Sequence, residues 1–273
     1  MKFGNASWGF RETPLEKQLE ITSDMGLEIL ELGIANSPND LPLDITEKEL
    51  ENIKYLYKKY NVKLLCAATG NDFTEGNDND VDKIKRVTDI CAFLGVKYLR
   101  IFAGFSLVDD VTGERWNIMI NSLRTVYDYA EKKGVVLTVE THGGVKGYDD
   151  GVDHFFSTSS KPEVLYKMIS EVPKIHLNFD PANIYAVGIK NPESVYEQIK
   201  DKVCCVHLKD FTKLPSGHLI PSACGESDMD WNAILKSLAD FDGPALFEYE
   251  NTEDIKEGSV RCYEYISDIK EKM

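Results

Sequence analysis

The stretch GVVLTVE (residues 134–140) contains the unit that decides the fold: a glycine, then a short β-rich strand that ends in a carboxylate. Gly134 falls between an amphipathic helical pattern and this strand, where a left-handed helix C-cap is expected. Similar apolar runs recur about every 25 to 40 residues, each followed by a helical pattern. They predict eight strands, at residues 2–7, 29–34, 63–68, 98–103, 135–140, 175–179, 204–208 and 245–249.

Eight strand–helix units predict an α/β fold, a single (β/α)8 TIM barrel formed by residues 1–273 as one domain. The repetition implies parallel strands joined by right-handed crossovers. The competing arrangement is an open doubly wound sheet, which usually carries a glycine-rich phosphate turn after its first strand. Residues 5–10 read NASWGF, which is no such turn, and no linker or low-complexity tract divides the chain.

Helix boundaries are marked by capping residues. Thr13 with Glu16 predicts a capping box with Pro14 at the first helical position, and Thr46 with Glu49 predicts a second box. Further signals are Asn191-Pro192 at a helix start, Asp228 as a candidate N-cap, Gly26 and Gly95 as C-caps, and a last helix at residues 260–269.

Composition excludes several classes of protein. The formal net charge of -15 and the pI of about 4.8 argue against nucleic acid as a partner, because such a surface repels phosphate backbones. No apolar run approaches the roughly 20 residues of a membrane helix, and the N-terminus does not resemble a signal peptide. We therefore expect a cytoplasmic protein with reduced thiols, since no CxxC pair occurs among Cys66, Cys91, Cys204, Cys205, Cys224 and Cys262.

Polar side chains appear where the last four predicted strands end. Glu140, Asp180, His207 and Glu248 follow apolar runs, and in a parallel barrel these ends converge on one mouth. A single such residue is more often a solvated loop residue than a ligand, but four on consecutive strands favour a metal site. Three carboxylates and one imidazole suit one divalent ion, namely Mn, Mg, Co or Zn.

Other residues near these ends allow two interpretations each. Lys209 is either a catalytic or oxyanion-stabilising cation or a partner of Asp210. Arg100 either contacts substrate or forms an internal salt bridge, for which Glu31 is a candidate. Trp8 either stacks on a sugar face or plugs the barrel. His154, His176 and His218 are not expected to be ligands, and only His142 and His207 are placed near the site.

Two long segments, residues 143–160 and 211–227, carry no regular pattern. Both follow strands, so we expect them on the face of the barrel where active sites lie. The identity of the substrate depends on these segments.

Several short motifs together resemble the xylose isomerase-like barrel superfamily, in particular its sugar phosphate isomerase/epimerase group. The resemblance covers essentially the whole chain. It is carried by VETHG (139–143), NFDPAN (178–183), VHLKD (206–210), GE (225–226) and FEYE (247–250). The resemblance implies that Glu140, Asp180, His207 and Glu248 hold one divalent metal.

The resemblance also implies a reaction on a small keto- or aldo-sugar. The ion would chelate a carbonyl and the neighbouring hydroxyl while one glutamate removes the proton beside the carbonyl. A cis-enediolate would form, and the other glutamate would return a proton. The resemblance implies that Glu140 and Glu248 are catalytic, and we expect Lys209 to be catalytic as well. The expected substrate-binding residues are Trp8, Arg100 and, from the family motifs, His142, Asn183 and Glu226.

The sequence departs from the ketohexose epimerases in two places. They carry a histidine where this chain has Asn183, and an arginine shortly after the strand-seven histidine, whereas residues 209–213 read KDFTK. Both differences argue against a simple ketohexose 3-epimerase. His142 and Lys209 resemble the inositol-ketone dehydratase and hydroxypyruvate isomerase branches, so a lyase or dehydratase of a keto-sugar or keto-inositol is the alternative.

Two less favoured functions share the fold. A phosphodiesterase like the apurinic-site endonucleases would need three metals and many more histidines than the five present. The loss of any of the four types of metal-ligand residue would favour a non-catalytic sugar-binding barrel, but all four are present. We therefore expect an isomerase or epimerase of carbohydrate metabolism with a sugar-like substrate and without nucleic-acid or membrane partners. A homo-oligomer is a family-level expectation only.

Overall fold

Strands and helices alternate along the chain, as the sequence predicts. The computed structural model describes residues 1–76 and 78–273. Within them the strands are β1 (Lys2–Asn5), β2 (Ile29–Leu30), β3 (Leu32–Gly33), β4 (Cys66–Ala68), β5 (Tyr98–Ile101), β6 (Val136–Glu140), β7 (Gly144–Tyr148), β8 (Gly151–Phe155), β9 (His176–Phe179), β10 (Val203–Leu208), β11 (Asp210–Lys213), β12 (Leu219–Ser222) and β13 (Pro244–Phe247). The α-helices are α1 (Leu15–Asp24), α2 (Glu47–Lys59), α3 (Asp78–Leu94), α4 (Gly113–Lys133), α5 (Pro162–Glu171), α6 (Pro181–Ala186), α7 (Pro192–Ile199), α8 (Trp231–Ser237) and α9 (Ile255–Glu271).

The main sheet is parallel and follows the order β2-β1-β13-β10-β9-β6-β5-β4-β3. Its two end segments, β2 and β3, are halves of one predicted strand that is interrupted at Glu31. β2 pairs with β1 through Ile29 and Gly4, whereas β3 pairs with β4 through Leu32 and Ala67. Because each half contacts a different neighbour, the sheet closes on itself. The predicted (β/α)8 barrel is therefore confirmed, with its second strand divided in two.

A small apolar cluster fills the barrel interior below the carboxyl ends of the strands. Three of its members lie two positions before a buried polar residue, and side chains two apart along a strand share a face. These pairs are Ile29 with Glu31, Cys205 with His207, and Leu246 with Glu248. The apolar layer thus supports a polar layer directly above it.

The helices cover the outer face of the sheet with apolar stripes. In α2 the buried residues Leu50, Ile53 and Tyr57 recur at the spacing of one helix face. The Tyr57 hydroxyl also donates a hydrogen bond of 3.3 Å to the carbonyl of Leu30, the last residue of β2. This contact fixes a helix against the divided second strand.

Several predicted helix boundaries are confirmed. The Thr46 side chain accepts a hydrogen bond from the backbone N–H of Glu49, and the Glu49 carboxylate accepts one from the Thr46 backbone, which is the reciprocal capping box. Gly26, Gly95 and Gly134 have φ of 71°, 75° and 74°, the left-handed conformation of a C-cap. The helix expected at Asn191-Pro192 begins there, with Pro192 in its first turn.

Three predicted boundaries are wrong. Helix α1 has Pro14 as its N-cap and no side-chain cap hydrogen bond, so Thr13 forms no capping box. The amide of Gln18 donates instead to the Thr13 carbonyl at 2.7 Å. Helix α8 is capped by Asp230, which accepts from the Ala233 N–H at 3.0 Å, and not by Asp228. The last helix extends beyond residues 260–269, from Ile255 to Glu271.

The segments 143–160 and 211–227 are not irregular, contrary to the sequence interpretation. Each contains a β-hairpin, and the two hairpins form an antiparallel sheet in the order β11-β12-β8-β7, called here the roof sheet. Leu219 pairs with Val152 where the hairpins meet. The turns at Asp150-Gly151 and Ser216-Gly217 were signals for these hairpins, because Asp-Gly and Ser-Gly pairs are typical of tight turns.

Cysteine usage matches the sequence interpretation. All six cysteines are free, and five of them are buried. Burial raises the pKa of the Cys91 thiol, so this thiol stays protonated and acts as a small apolar side chain.

None of the helices in residues 1–76 and 78–273 is both long and apolar enough to cross a lipid bilayer.

The two threonine sites give a matched test of helix capping. We expect Thr46→Ala to lower the free energy of unfolding by about 1 kcal/mol, because the N-cap hydrogen bond is lost. Thr13→Ala is the control and should cost clearly less, since the Thr13 side chain caps no helix. Chemical denaturation of both variants measures the difference, and equal losses would contradict the assigned caps.

Candidate metal centre and substrate cavity

Four strand ends bring their polar side chains together at one end of the barrel. Glu140 ends β6, Asp180 follows β9, His207 lies near the end of β10, and Glu248 follows β13. One potential ligand atom of each residue lies within 4.8 Å of the others, and all four residues are buried. The structure thus assembles the four residues that the strand-end pattern selected, called here the ligand cluster.

The ligand cluster fits a divalent metal ion. Both ring nitrogens of His207 and Oδ2 of Asp180 are buried without a hydrogen-bond partner. Buried polar atoms are rarely left unpaired, and several buried carboxylates need a cation between them. Three carboxylates and one imidazole are donors that a hard or borderline divalent ion accepts.

Local structure around Asp180 leaves one of its oxygens free. Asp180 is the N-cap of α6, and its Oδ1 accepts hydrogen bonds from the N–H groups of Ala182 at 2.8 Å and Asn183 at 3.0 Å. Pro181 occupies the first turn of this helix. Oδ2 accepts no hydrogen bond, although the Lys209 ammonium lies 3.3 Å away. One carboxylate oxygen therefore fixes the helix while the other belongs to the ligand cluster.

Glu140 is held by two neighbours. Its Oε2 lies 3.2 Å from Nε of Arg100, and its Oε1 accepts a hydrogen bond of 2.9 Å from Nδ2 of Asn183. Burial and then the negative charge of Glu248 raise the pKa of Glu140 to about 7. Arg100 thus forms an internal ion pair, as one sequence interpretation proposed, but the partner is Glu140 and not Glu31.

Lys209 is a permanently charged centre of the site. Its ammonium donates to Oε2 of Glu248 and to Oε1 of Glu250, both at 2.9 Å. Burial alone would lower the pKa of Lys209, but the surrounding carboxylates raise it well above its ordinary value. The ammonium in turn holds the pKa of Glu248 well below its usual range, against the opposing effect of burial.

Asp210 is not the partner of Lys209. The Asp210 carboxylate accepts hydrogen bonds of 2.9 Å from Nε1 of Trp231 and from the N–H of Gly225. It therefore ties the loop after β12 to α8, away from the ligand cluster.

The imidazole of His207 presents its two nitrogens to different carboxylates. Nδ1 lies 3.4 Å from Oε1 of Glu248 and 3.8 Å from Oε1 of Glu140, so Nδ1 belongs to the ligand cluster. Nε2 lies 3.6 Å from Oε1 of Glu31. That separation is too long for a hydrogen bond but close enough for a strong electrostatic interaction.

Glu31 has a place in the site that the sequence interpretation missed. It is buried where the second strand divides, and its Oε2 accepts hydrogen bonds from the Ser7 N–H at 3.1 Å and hydroxyl at 3.0 Å. Burial disfavours charge on His207, yet the nearby carboxylates raise its pKa well above the ordinary value. Metal binding requires a neutral imidazole and would release this proton.

A cavity of about 580 Å³ opens above the ligand cluster. Glu140, Glu248 and Lys209 line it, together with Arg100 and Trp8. Trp8 lies in a short 3-10 helix after β1, with the Arg11 guanidinium 5.0 Å from its ring centre. Trp8 therefore faces the cavity and does not plug the barrel.

Two neutral histidines line the same cavity. Nδ1 of His142 donates a hydrogen bond of 2.5 Å to the Gly143 carbonyl, and burial lowers the pKa of His142 well below its ordinary value. Burial, with the charge of Lys209, lowers the pKa of His154 to about 4. The sequence interpretation placed only His142 and His207 near the site, and this was wrong for His154. The position of His154 depends on the roof sheet, which was not predicted.

Two residues implied by the family resemblance do not line the cavity. Asn183 lies behind Glu140 and contacts it through the amide described above. Glu226 accepts hydrogen bonds from Nε of Arg261 at 3.0 Å and from the Ala223 N–H at 2.9 Å, so its carboxylate stabilises a loop. His176 and His218 also lie outside the cavity, in agreement with the sequence interpretation.

Comparison with known proteins supports the fold and the family. The profile of the xylose isomerase-like TIM barrel family matches residues 19–265. A search of curated proteins found no match.

Three solved structures show the same fold at low sequence identity. The IolI protein with a bound zinc atom has a TM-score of 0.77 and 20% identity, covering 100% of this chain and 99% of that one. A probable 3-DHS dehydratase, AsbF, from Bacillus anthracis has a TM-score of 0.77 and 15% identity, covering 98% and 99%. D-allulose 3-epimerase from Methylomonas sp. has a TM-score of 0.76 and 14% identity, covering 98% of both chains. With its closed barrel and the profile match over most of its length, the chain belongs to the xylose isomerase-like TIM barrel family.

Proposed function

We propose that this protein is a divalent-metal-dependent isomerase or epimerase of a small keto- or aldo-sugar. The observation that carries the proposal is the position of two glutamates. Glu140 and Glu248 come from different strands, line one cavity, and both belong to the ligand cluster. Two carboxyl groups at one reacting centre can remove a proton from a carbon and return one to it or to its neighbour.

The protein's own residues prepare this proton transfer. Lys209 keeps Glu248 ionised, which is the form of a carboxylate that can take up a proton. Arg100 and Asn183 fix both oxygens of Glu140. A divalent ion held by Glu140, Asp180, His207 and Glu248 would act as a Lewis acid on the substrate oxygens and favour loss of the neighbouring proton. The roof sheet contributes Val145, Val152 and Phe211 to the lining, which limits access of water.

The second candidate is a lyase or dehydratase of a keto-sugar or keto-inositol. It would begin with the same proton removal and then expel a leaving group in place of reprotonation. His142 and His154 favour this candidate, because they add polar groups to the cavity beyond the two glutamates. The fold shared with the probable 3-DHS dehydratase is compatible with it.

A phosphodiesterase is supported less well. Within residues 1–76 and 78–273, the ligand cluster is the one group of side chains placed so that it could hold a metal ion, and it contains a single histidine. A phosphodiesterase site with three metals would need further metal-ligand residues.

Solvent deuterium distinguishes the candidates. We expect the metal-loaded protein, incubated in D2O with keto-sugars, keto-inositols and 3-keto-glycosides, to give a product of unchanged composition that carries deuterium beside the carbonyl. Mass spectrometry measures the mass of the product and its deuterium content. Loss of water or of an aglycone would assign the lyase, and no exchange on any compound with metal bound would contradict the proposal.

Replacing one glutamate tests its role. We expect Glu248→Gln to reduce kcat by at least roughly 100-fold, because the amide cannot accept the proton, and to weaken metal binding while the fold is retained. Glu257→Gln, on the exposed face of α9, is the matched control and should leave turnover unchanged. Steady-state kinetics, calorimetry and circular dichroism provide the readouts. Full activity with unchanged metal affinity in Glu248→Gln would remove this residue from both roles.

Glu31 gives an independent test of the metal site. We expect Glu31→Gln to lower metal affinity by roughly 10- to 100-fold, because the carboxylate orients the imidazole of His207 and increases its basicity. Titration calorimetry with Mn or Zn measures this change without any substrate. Ser7→Ala should have a smaller effect, since Ser7 contacts only the far oxygen of Glu31. Unchanged affinity in Glu31→Gln would show that Glu31 does not support the metal ligand.

A further inference from the structure

One side of the cavity is formed by aromatic rings in continuous contact. The ring centres of Phe105 and Phe102 are 4.6 Å apart, and those of Phe102 and His142 are 5.3 Å apart. The series continues from His142 to His154 at 6.3 Å and from His154 to Phe211 at 5.1 Å. All five rings line the cavity. These five residues are called here the aromatic wall.

Three of the five rings of the aromatic wall, those of Phe102, Phe105 and Phe211, carry no hydrogen-bonding group. Nδ1 of His142 is already used by the Gly143 carbonyl, so the remaining polar atoms of the wall are the other imidazole nitrogens, among them the unpaired Nδ1 of His154. The roof sheet extends the wall with Val145, whose exposed fraction is 44% although it is apolar. An apolar side chain exposed inside a cavity indicates an apolar ligand group.

The aromatic wall also differs in shape from a flat aromatic surface on which a sugar ring stacks. Phe102 and Phe105 are inclined by 54°, and His142 stands at 78° to Phe102 and 83° to Phe105. These three rings therefore do not lie in one plane and do not form one flat face against which a sugar ring stacks. Hydroxyl groups placed against the three phenylalanine rings would lose hydrogen bonds to water without replacement.

The cavity is large enough for a ligand made of two chemically different parts, one polar and one apolar. Its volume of about 580 Å³ lies within the range of roughly 300 to 1,000 Å³ that encloses drug-sized ligands. Glu140 and Glu248 belong to its polar lining, and the phenylalanine rings of the aromatic wall belong to its apolar lining. A free six-carbon keto-sugar carries hydroxyl groups along its whole length and suits only the polar lining.

We propose that the substrate is a glycoside of a keto-sugar with an aromatic aglycone, whose sugar lies at the ligand cluster and whose aglycone ring lies against the aromatic wall. The sugar end rests on the proposed function, and the aglycone end rests on the wall alone. Tilted and edge-to-face contacts with Phe105 and Phe211 are the arrangements that aromatic rings prefer.

Binding of non-reactive glycosides tests the aglycone end directly. Phenyl β-D-glucoside and methyl β-D-glucoside have the same sugar and no ketone, so neither can enter the proposed reaction. We expect the phenyl compound to bind the metal-loaded protein roughly ten-fold more tightly, from the added apolar area less the cost of ordering. Ligand-observed NMR titration gives both Kd values. Equal Kd values would overturn the inference.

Two variants test whether the preference for the phenyl glucoside depends on the aromatic wall. Phe105→Ala removes a ring that is only half-buried, and Val145→Thr changes an exposed side chain, so both variants should fold. Each should reduce the phenyl-to-methyl preference at least three-fold and leave the Kd of the methyl compound unchanged. Tyr55→Ala, on the exposed face of α2, is the control and should leave the preference intact. An unchanged preference in both wall variants would contradict the assigned subsite.

The result of the glucoside-binding test can be distinguished from the result of the test of the proposed function. A phenyl preference together with no deuterium exchange on any ketone would retain the aromatic subsite and reject the isomerase. Deuterium exchange into free keto-sugars without a phenyl preference would retain the isomerase and reject the aglycone.

Discussion

The need to neutralise three buried carboxylates in one small volume governs this structure. Glu140, Asp180 and Glu248 cannot all remain ionised together without positive charge nearby. Arg100 and Lys209 supply two cations, each in contact with a different glutamate. The remaining unpaired atoms, on Asp180 and on the imidazole of the fourth cluster member, are those expected of metal ligands. These unpaired donor atoms, together with family membership, support the proposed metal site.

The barrel and the loops make separate contributions to the cavity. Strand ends fix the ligand cluster, because side chains two positions along each strand face the same interior. The roof sheet, the loop after β5 and His142 after β6 supply the aromatic wall and set which substituents fit. Chemistry and substrate choice are therefore carried by different parts of the chain, as is usual for proteins that share this fold.

The fold and the ligand cluster could be predicted because both depend on local patterns. Apolar runs that end in Glu140 or Asp180 show in the sequence that a strand finishes at the mouth of the barrel. Glu31 could not be assigned in this way, since its contact with His207 follows from the division of the second strand. His154 was missed because its position depends on pairing between two hairpins that are distant in sequence. Long-range pairing of this kind leaves no periodic signal.

The most direct test of the central claim is anomalous diffraction from crystals of the protein grown with Mn or Zn. The account predicts one ion bound jointly by Glu140, Asp180, Glu248 and Nδ1 of His207, with Nε2 of His207 directed to Glu31. An ion bound elsewhere, or a ligand cluster that stays empty at saturating metal, would contradict it.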